Sequence, residues 1–152
     1  ERESMSLLEQ LREDLKDAMR ARDDERKSAL RMVLTEVQLA DVESPEPLTD
    51  EDVIVLIRKE VKRREEALEM MRDAGRDELV EGESRELEIL RGYLPKMMSE
   101  EEVTERAEAV VAEVGASSMR DMGAVMGAMM SRVRGRADGR MVNQVVRKLL
   151  SA

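Results

Sequence analysis

Cysteine, histidine, tryptophan and phenylalanine are all missing from these 152 residues, and tyrosine occurs once, as Tyr93. Without imidazole or thiol there is no Ser-His dyad, no cysteine nucleophile and no His/Cys cage for a metal, because each needs a side chain that this chain lacks. Paired carboxylates for sugar cleavage remain formally open with so many Glu. Such sites stack the sugar on aromatic faces, however, and only Tyr93 is available, so that class is set aside. Long apolar runs are missing too. The longest, MGAVMGAMM at residues 122–130, is far short of the roughly 20 residues that cross a bilayer. No basic-then-apolar leader opens the chain, and a cytoplasmic location is the expectation. No cofactor, no metal and no membrane partner is expected.

What is present is charge and aliphatic carbon: 40% of residues are charged and 41% are hydrophobic, with 13 Met among them. That suffices for an aliphatic core while leaving most helix faces wet, and a Met-rich core or surface repacks easily. The net charge of -9 is unevenly spread. Residues 1–95 hold 17 Lys+Arg against 27 Asp+Glu, whereas residues 96–152 hold 9 against 8. From Val114 onward seven basic residues, Arg120, Arg132, Arg134, Arg136, Arg140, Arg147 and Lys148, face only Asp121 and Asp138. An anionic partner would be steered to this end and repelled elsewhere; the alternative is a helical hairpin with ordinary solvated Arg.

Apolar residues recur at i, i+3, i+4 and i+7 in every long segment and never alternate with period two, so the fold class is all-α. Ser6 with Glu9 opens a first helix on Leu8, Leu11, Leu15 and Met19, and Asp23 caps a second on Leu30, Val33, Leu34 and Val37. Pro45 and Pro47 break that helix. Thr49 with Asp52 starts a third on Val53, Ile57, Val61, Leu68 and Met71. Its basic pairs, Arg58-Lys59 and Lys62-Arg63-Arg64, interleave with Glu60, Glu65, Glu66 and Glu69 and read as a solvated face. A fourth helix runs from about Asp77 to Tyr93, with Gly82 as a weak point, and Pro95 closes it.

Ser99 with Glu102 forms the clearest capping box of the chain, opening a fifth helix on Val103, Ala107, Val110, Val111 and Val114 that Gly115 ends. A sixth helix, about Ser118 to Arg134, carries Met119, Met122, Met126, Met129 or Met130, and Val133. Gly135 ends it, and Asp138 caps a last helix on Val142, Val145, Val146 and Leu149. The expected organisation is an acidic four-helix subdomain at 1–95 and a three-helix subdomain with a basic end at 96–152.

The motif-dense stretch runs Gly115, Asp121, Gly123, Gly127, Gly135, Asp138, Gly139 and Asn143. Gly123 and Gly127, four apart, strip side chains from one helix face and suit close packing of the last two helices. Asp138 is first a helix cap. In the functional reading Gly139, Arg140 and Arg136 leave helix-end amides and guanidinium groups for phosphate.

These residues, with Arg31-Met32, the start at Leu48–Asp52, Tyr93-Leu94-Pro95 and the Ser99 box, resemble the YqeY family. The C-terminal part is similar to the tail domain of the GatB subunit of tRNA-dependent amidotransferases. Two departures are mild: Met130-Ser131-Arg132 stands where the family has Met-Pro-Lys, and Arg134-Gly135-Arg136 where it has Lys-Gly-Lys. The resemblance implies a tail module that helps an enzyme hold tRNA. The family's association with carbon-nitrogen ligase activity, with glutamine as amido-N-donor, then attaches by inheritance, since no G-x-x-x-x-G-K-[ST] loop or amide-transfer nucleophile is present.

The leading expectation is therefore an accessory tRNA-binding module without its own catalytic residues. It docks folded RNA by shape through Arg132, Arg134, Arg136, Arg140, Arg147 and Lys148, its partner being tRNA or a tRNA-charging or amidotransferase enzyme. The alternative is a protein-interaction module that presents the Met-rich sixth helix, which requires several of those Met to be exposed. In the N-terminal half Arg31 is the one landmark to examine, and an internal salt bridge is its ordinary role.

Overall fold

The computed structural model describes residues 2–152. Among the described residues it is all-helical: α1 Leu7–Arg20, α2 Asp24–Glu43, α3 Asp50–Asp73, α4 Asp77–Arg91, α5 Glu100–Val114, α6 Met122–Val133 and α7 Gly139–Leu150, with short 3-10 turns at Arg2–Ser4 and Met119–Asp121. The chain divides into two compact units, one ending at Leu94 and the other running Pro95–Ala152.

Local chemistry sets the helix starts. Ser6, Thr49 and Ser99 each accept from the backbone N–H three residues on, and Glu9, Asp52 and Glu102 return the bond, so three capping boxes satisfy amides that a helix N-terminus leaves bare. Asp23 caps α2 through the Arg26 N–H at 3.2 Å. The chain turns between α1 and α2 at Arg22, whose φ is 56°.

In the N-terminal unit α3 packs on α1, α2 and α4, and α2 bridges α1 and α4. The core holds Leu7, Leu11, Ala18, Ala29, Leu30, Val33, Val37, Val53, Ile57, Val61, Leu68, Leu87 and Leu90. Two expectations are corrected here. Met19 is 49% exposed, because α1 faces the core along Leu7, Leu11, Asp14 and Ala18, a stripe on which Met19 is a flank and a carboxylate takes an interior position.

The charged run of α3 is not wholly solvated either. Glu60 and Arg64 are buried at 4% and 7% exposure, since with Ile57, Val61 and Leu68 they share the i, i+3, i+4, i+7 stripe that faces α4. Arg64 Nε donates to Glu60 at 3.1 Å, and its Nη1 lies 3.4 Å from both Glu83 and Glu86. Arg63 comes within 3.3 Å of Glu60 Oε2 without forming a hydrogen bond there. Three carboxylates thus converge on one buried guanidinium.

Asp14, 3% exposed, receives Arg2 through both of its oxygens at 2.9 and 2.6 Å and also accepts from the Tyr93 hydroxyl. The Arg2 hydrogen bonds, ahead of the Tyr93 bond and the Arg2 and Arg26 charges, hold its carboxyl below the ordinary Asp range, with burial opposing. A depressed folded pKa stabilises the fold above the unfolded value, about 3.9, and this contribution disappears as pH falls through the folded value. Denaturant titrations from pH 7 down to pH 2 are expected to show the intact N-terminal unit losing stability below about pH 4. The Asp14→Asn variant starts lower and declines less steeply.

The second unit is a three-helix bundle. Val103, Ala107 and Val110 of α5, Val125, Met129 and Val133 of α6, and Val142, Val145, Val146 and Leu150 of α7 fill its core with Met98. Val114, expected on the α5 stripe, is exposed, since the helix stops there and Gly115 turns the chain at φ 68°.

Candidate nucleic-acid interface

The basic end is built on two tight connections. Asp121 accepts from the Ser117 and Ser118 N–H groups at 2.8 and 3.2 Å and so folds the α5–α6 link. Beyond α6 the chain reverses at Gly135, whose φ of 75° excludes most side chains. The Arg136 N–H donates to Val133 O, and Arg136 O accepts from Met98 N–H, both at 2.8 Å, which ties this turn to the segment ahead of α5. Asp138 then caps α7 through the Arg140 N–H at 3.0 Å. The two Asp of the motif are thus occupied as caps, and its Gly115 and Gly135 supply left-handed turns.

Gly123 and Gly127 depart from expectation. Both are exposed, and a Cβ built on either meets nothing within 4 Å, so neither serves close helix packing. The physical reason lies in the α6 register: Val125, Met129 and Val133 face inward, which turns 123 and 127 to solvent. Gly127→Ala is therefore expected to stabilise the C-terminal unit by about 0.5–1 kcal/mol, and Gly123→Ala, in the first turn, by less. Calorimetry on each variant checks this; a loss of stability would mean that the face is covered. Gly139 does approach α6, where an added Cβ would lie 3.7 Å from Met130 Cε.

The same register splits the expected Met stripe. Met129 is buried, Met122 and Met126 are partly buried against the core, and only Met119 and Met130, at 42% and 37% exposure, reach solvent. Most of the stripe is core.

The six expected basic side chains fall into distinct environments. Arg132 is exposed but engaged by the Glu113 carboxylate; this bond raises the pKa of the one and lowers that of the other. Arg136 is half-buried, with an Nε that is enclosed and makes no hydrogen bond. Arg134 is exposed at the C-terminal end of α6. Arg140, Arg147 and Lys148 are exposed on α7 at i, i+7 and i+8, the outward face of a helix that contains no Asp or Glu. No carboxylate among the described residues pairs with these three, whereas in the N-terminal unit Arg64, Arg85 and Arg91 each engage more than one.

Gln144 joins this face. It lines a shallow concavity of about 400 Å³ with Gly139, Arg140 and Asn143. The sequence reading missed it, although its position four residues after Arg140 is a signal that could have found it. The opposite charge is collected on α5, where Glu100, Glu101, Glu105 and Glu108 are exposed. The unit is electrically polarised, with an acidic helix and a basic one. Among the described residues no group of carboxylates is arranged to hold a metal, and no helix is long and apolar enough to cross a membrane.

Comparison with known proteins adds the kinship. An uncharacterized Schizosaccharomyces pombe protein is 35% identical over 89 residues, 59% of this chain and 72% of that protein. The Eremothecium gossypii protein named altered inheritance of mitochondria protein 41, mitochondrial, is 32% identical over 110 residues, 70% of this chain and 60% of its own length. Its namesake from Pyrenophora tritici-repentis is 30% identical over 125 residues, 79% of this chain and 69% of that protein. The chain thus spans roughly 60 to 70% of these relatives. The family model described as Yqey-like protein matches residues 8–150, and the chain belongs to the YqeY-like family.

Proposed function

We propose that the chain is an accessory tRNA-binding module, similar in role to the tail of tRNA-dependent amidotransferases, and that it docks folded RNA through the outward face of α7 and the turn before it. The observation that carries this reading is the cationic row Arg140, Arg147 and Lys148, on an acid-free helix and paired with no carboxylate among the described residues. Such a row attracts phosphate without competition from neighbouring carboxylates, and the charge polarity of the bundle steers a nucleic acid toward it. With Tyr93 as the sole aromatic residue there is no platform for unstacked bases, so backbone and shape are what it reads.

No catalytic group is assigned. Amide transfer, where this chain takes part in it, belongs to the enzyme or RNA complex that it serves. The reading is compatible with the cytoplasm as compartment, and equally with the mitochondria that the names of the relatives indicate.

The test is binding of labelled, folded tRNA to the intact chain across a salt series. Saturable binding that weakens as salt rises is expected. Binding that is absent, or indifferent to salt, overturns the reading and turns the search to a protein partner.

A further inference from the structure

The N-terminal unit contains a feature that RNA binding does not use. Asp14 lies on the core-facing stripe of α1, yet both of its oxygens are directed to a single guanidinium, that of Arg2, at 2.9 and 2.6 Å. The segment that delivers this group, the turn Arg2–Ser4, contributes no buried residue. Its further ties include Gln10 Nε2, which donates to Arg2 O at 3.2 Å and to Met5 O at 3.1 Å, and the Met5 N–H, which donates to Arg2 O at 3.2 Å. The Arg2 side chain remains 55% exposed while that of Asp14 is 5% exposed.

Around the carboxylate the unit forms an open concavity of about 440 Å³, with Leu7 and Ile89 as apolar walls and Tyr93 donating its hydroxyl to Asp14 Oδ2. Arg26 stands 3.7 Å from Asp14 Oδ1, beyond hydrogen-bond range. Glu88 also lines the space and is held by Arg91 at 2.6 Å.

A buried carboxylate that offers two parallel acceptors selects a planar fork of donors over the point charge of an ammonium. Apolar walls beside it suit the methylene stem that carries such a fork. The occupant supplied by the chain itself is attached through the guanidinium and a few exchangeable polar contacts, so another guanidinium can compete for the same place.

We propose that this concavity is an arginine-recognition pocket, that Arg2 is its resident occupant, and that it receives the side chain of an exposed arginine presented by a partner polypeptide. Displacement of Arg2 frees the Arg2–Ser4 turn, which couples partner binding to release of the N-terminal segment. The pocket lies on the unit opposite in charge to the basic bundle and stands independently of the tRNA reading.

Tyr93 makes the test direct, because it is the only aromatic residue and its emission reports on this site alone. The Arg2→Ala variant of the whole 152-residue chain, with its fold checked by circular dichroism, is titrated with N-acetyl-arginine amide and separately with N-acetyl-lysine amide. A saturable change in tyrosine emission is expected with the arginine probe, at least about tenfold weaker with the lysine probe. In the intact chain the arginine probe is expected to bind at least about tenfold more weakly than in Arg2→Ala, because Arg2 competes. Asp14→Asn is expected to abolish the response; where that variant does not fold, the comparison of the two probes on Arg2→Ala decides. Indistinguishable curves for the two probes, equal binding by intact and Arg2→Ala chains, or no saturation in Arg2→Ala would each overturn the proposal.

Discussion

Replacing Arg140, Arg147 and Lys148 together by Ala is expected to lower tRNA affinity by roughly two orders of magnitude near 0.1 M salt. Each phosphate contact releases about one condensed counterion, worth a factor of about 8 at that concentration, so three contacts approach a few hundredfold before the cost of ordering long side chains is subtracted. The slope of log affinity against log salt should become shallower by about 3.

Position makes the prediction specific. Arg132→Ala should have a much smaller effect, because its guanidinium is already engaged by Glu113 and binding RNA through it requires breaking that pair. Arg85→Ala in the acidic unit, where Glu25 and Glu81 hold the side chain, should have none. Equal losses from all three substitutions would show that net charge, and not the α7 face, governs the association.

The second large effect concerns stability. Arg64→Ala leaves Glu60, Glu83 and Glu86 converging on a site without its guanidinium, and uncompensated buried charge of this kind costs about 3–5 kcal/mol. For a unit of this size, at roughly 0.05–0.15 kcal/mol per residue, that is at least about a fifth of the whole stability. Urea titration followed by Tyr93 emission reads the N-terminal unit directly, since the only aromatic side chain belongs to it.

Arg63→Ala is the matched control. Its side chain is 58% exposed, and surface pairs contribute less than about 1 kcal/mol. A loss below about 1 kcal/mol for Arg64→Ala would mean that water reaches the three carboxylates and that the cluster is effectively at the surface. The cluster is not in itself a reason for stability: apolar replacement of such groups together is often neutral or stabilising, and it is their separation that costs.

Much of the fold was readable from local chemistry. The Ser6, Thr49 and Ser99 boxes, the caps at Asp23 and Asp138 and the left-handed glycines at 115 and 135 depend on residues within four positions of one another. A linear pattern records that range faithfully. The charge excess of the C-terminal end is legible in the same way, because composition along the chain sets it.

Pattern failed where a face had to be chosen between partners. On α3, Glu60 and Arg64 read as an ordinary i, i+4 surface pair, and only the approach of α4 with Glu83 and Glu86 makes them interior. On α6 the methionines and glycines suggest an inward stripe, but the register settles on Val125, Met129 and Val133, and Gly123 and Gly127 face solvent. Helical periodicity allows either rotation when small and flexible residues surround the axis, and packing against α5 and α7 selects one.

Sequence alone therefore determined the all-α class, the helix boundaries to within a few residues, the charge gradient and the family resemblance, because each is set by neighbours along the chain or by composition. Tertiary structure decided which charges are solvated and which are enclosed: Arg132 drawn to Glu113 across 19 positions, Arg64 among three carboxylates, and Asp14 joined to Tyr93 over 79. Those outcomes depend on desolvation and on partners brought together by packing, and separation along the chain carries no information about either.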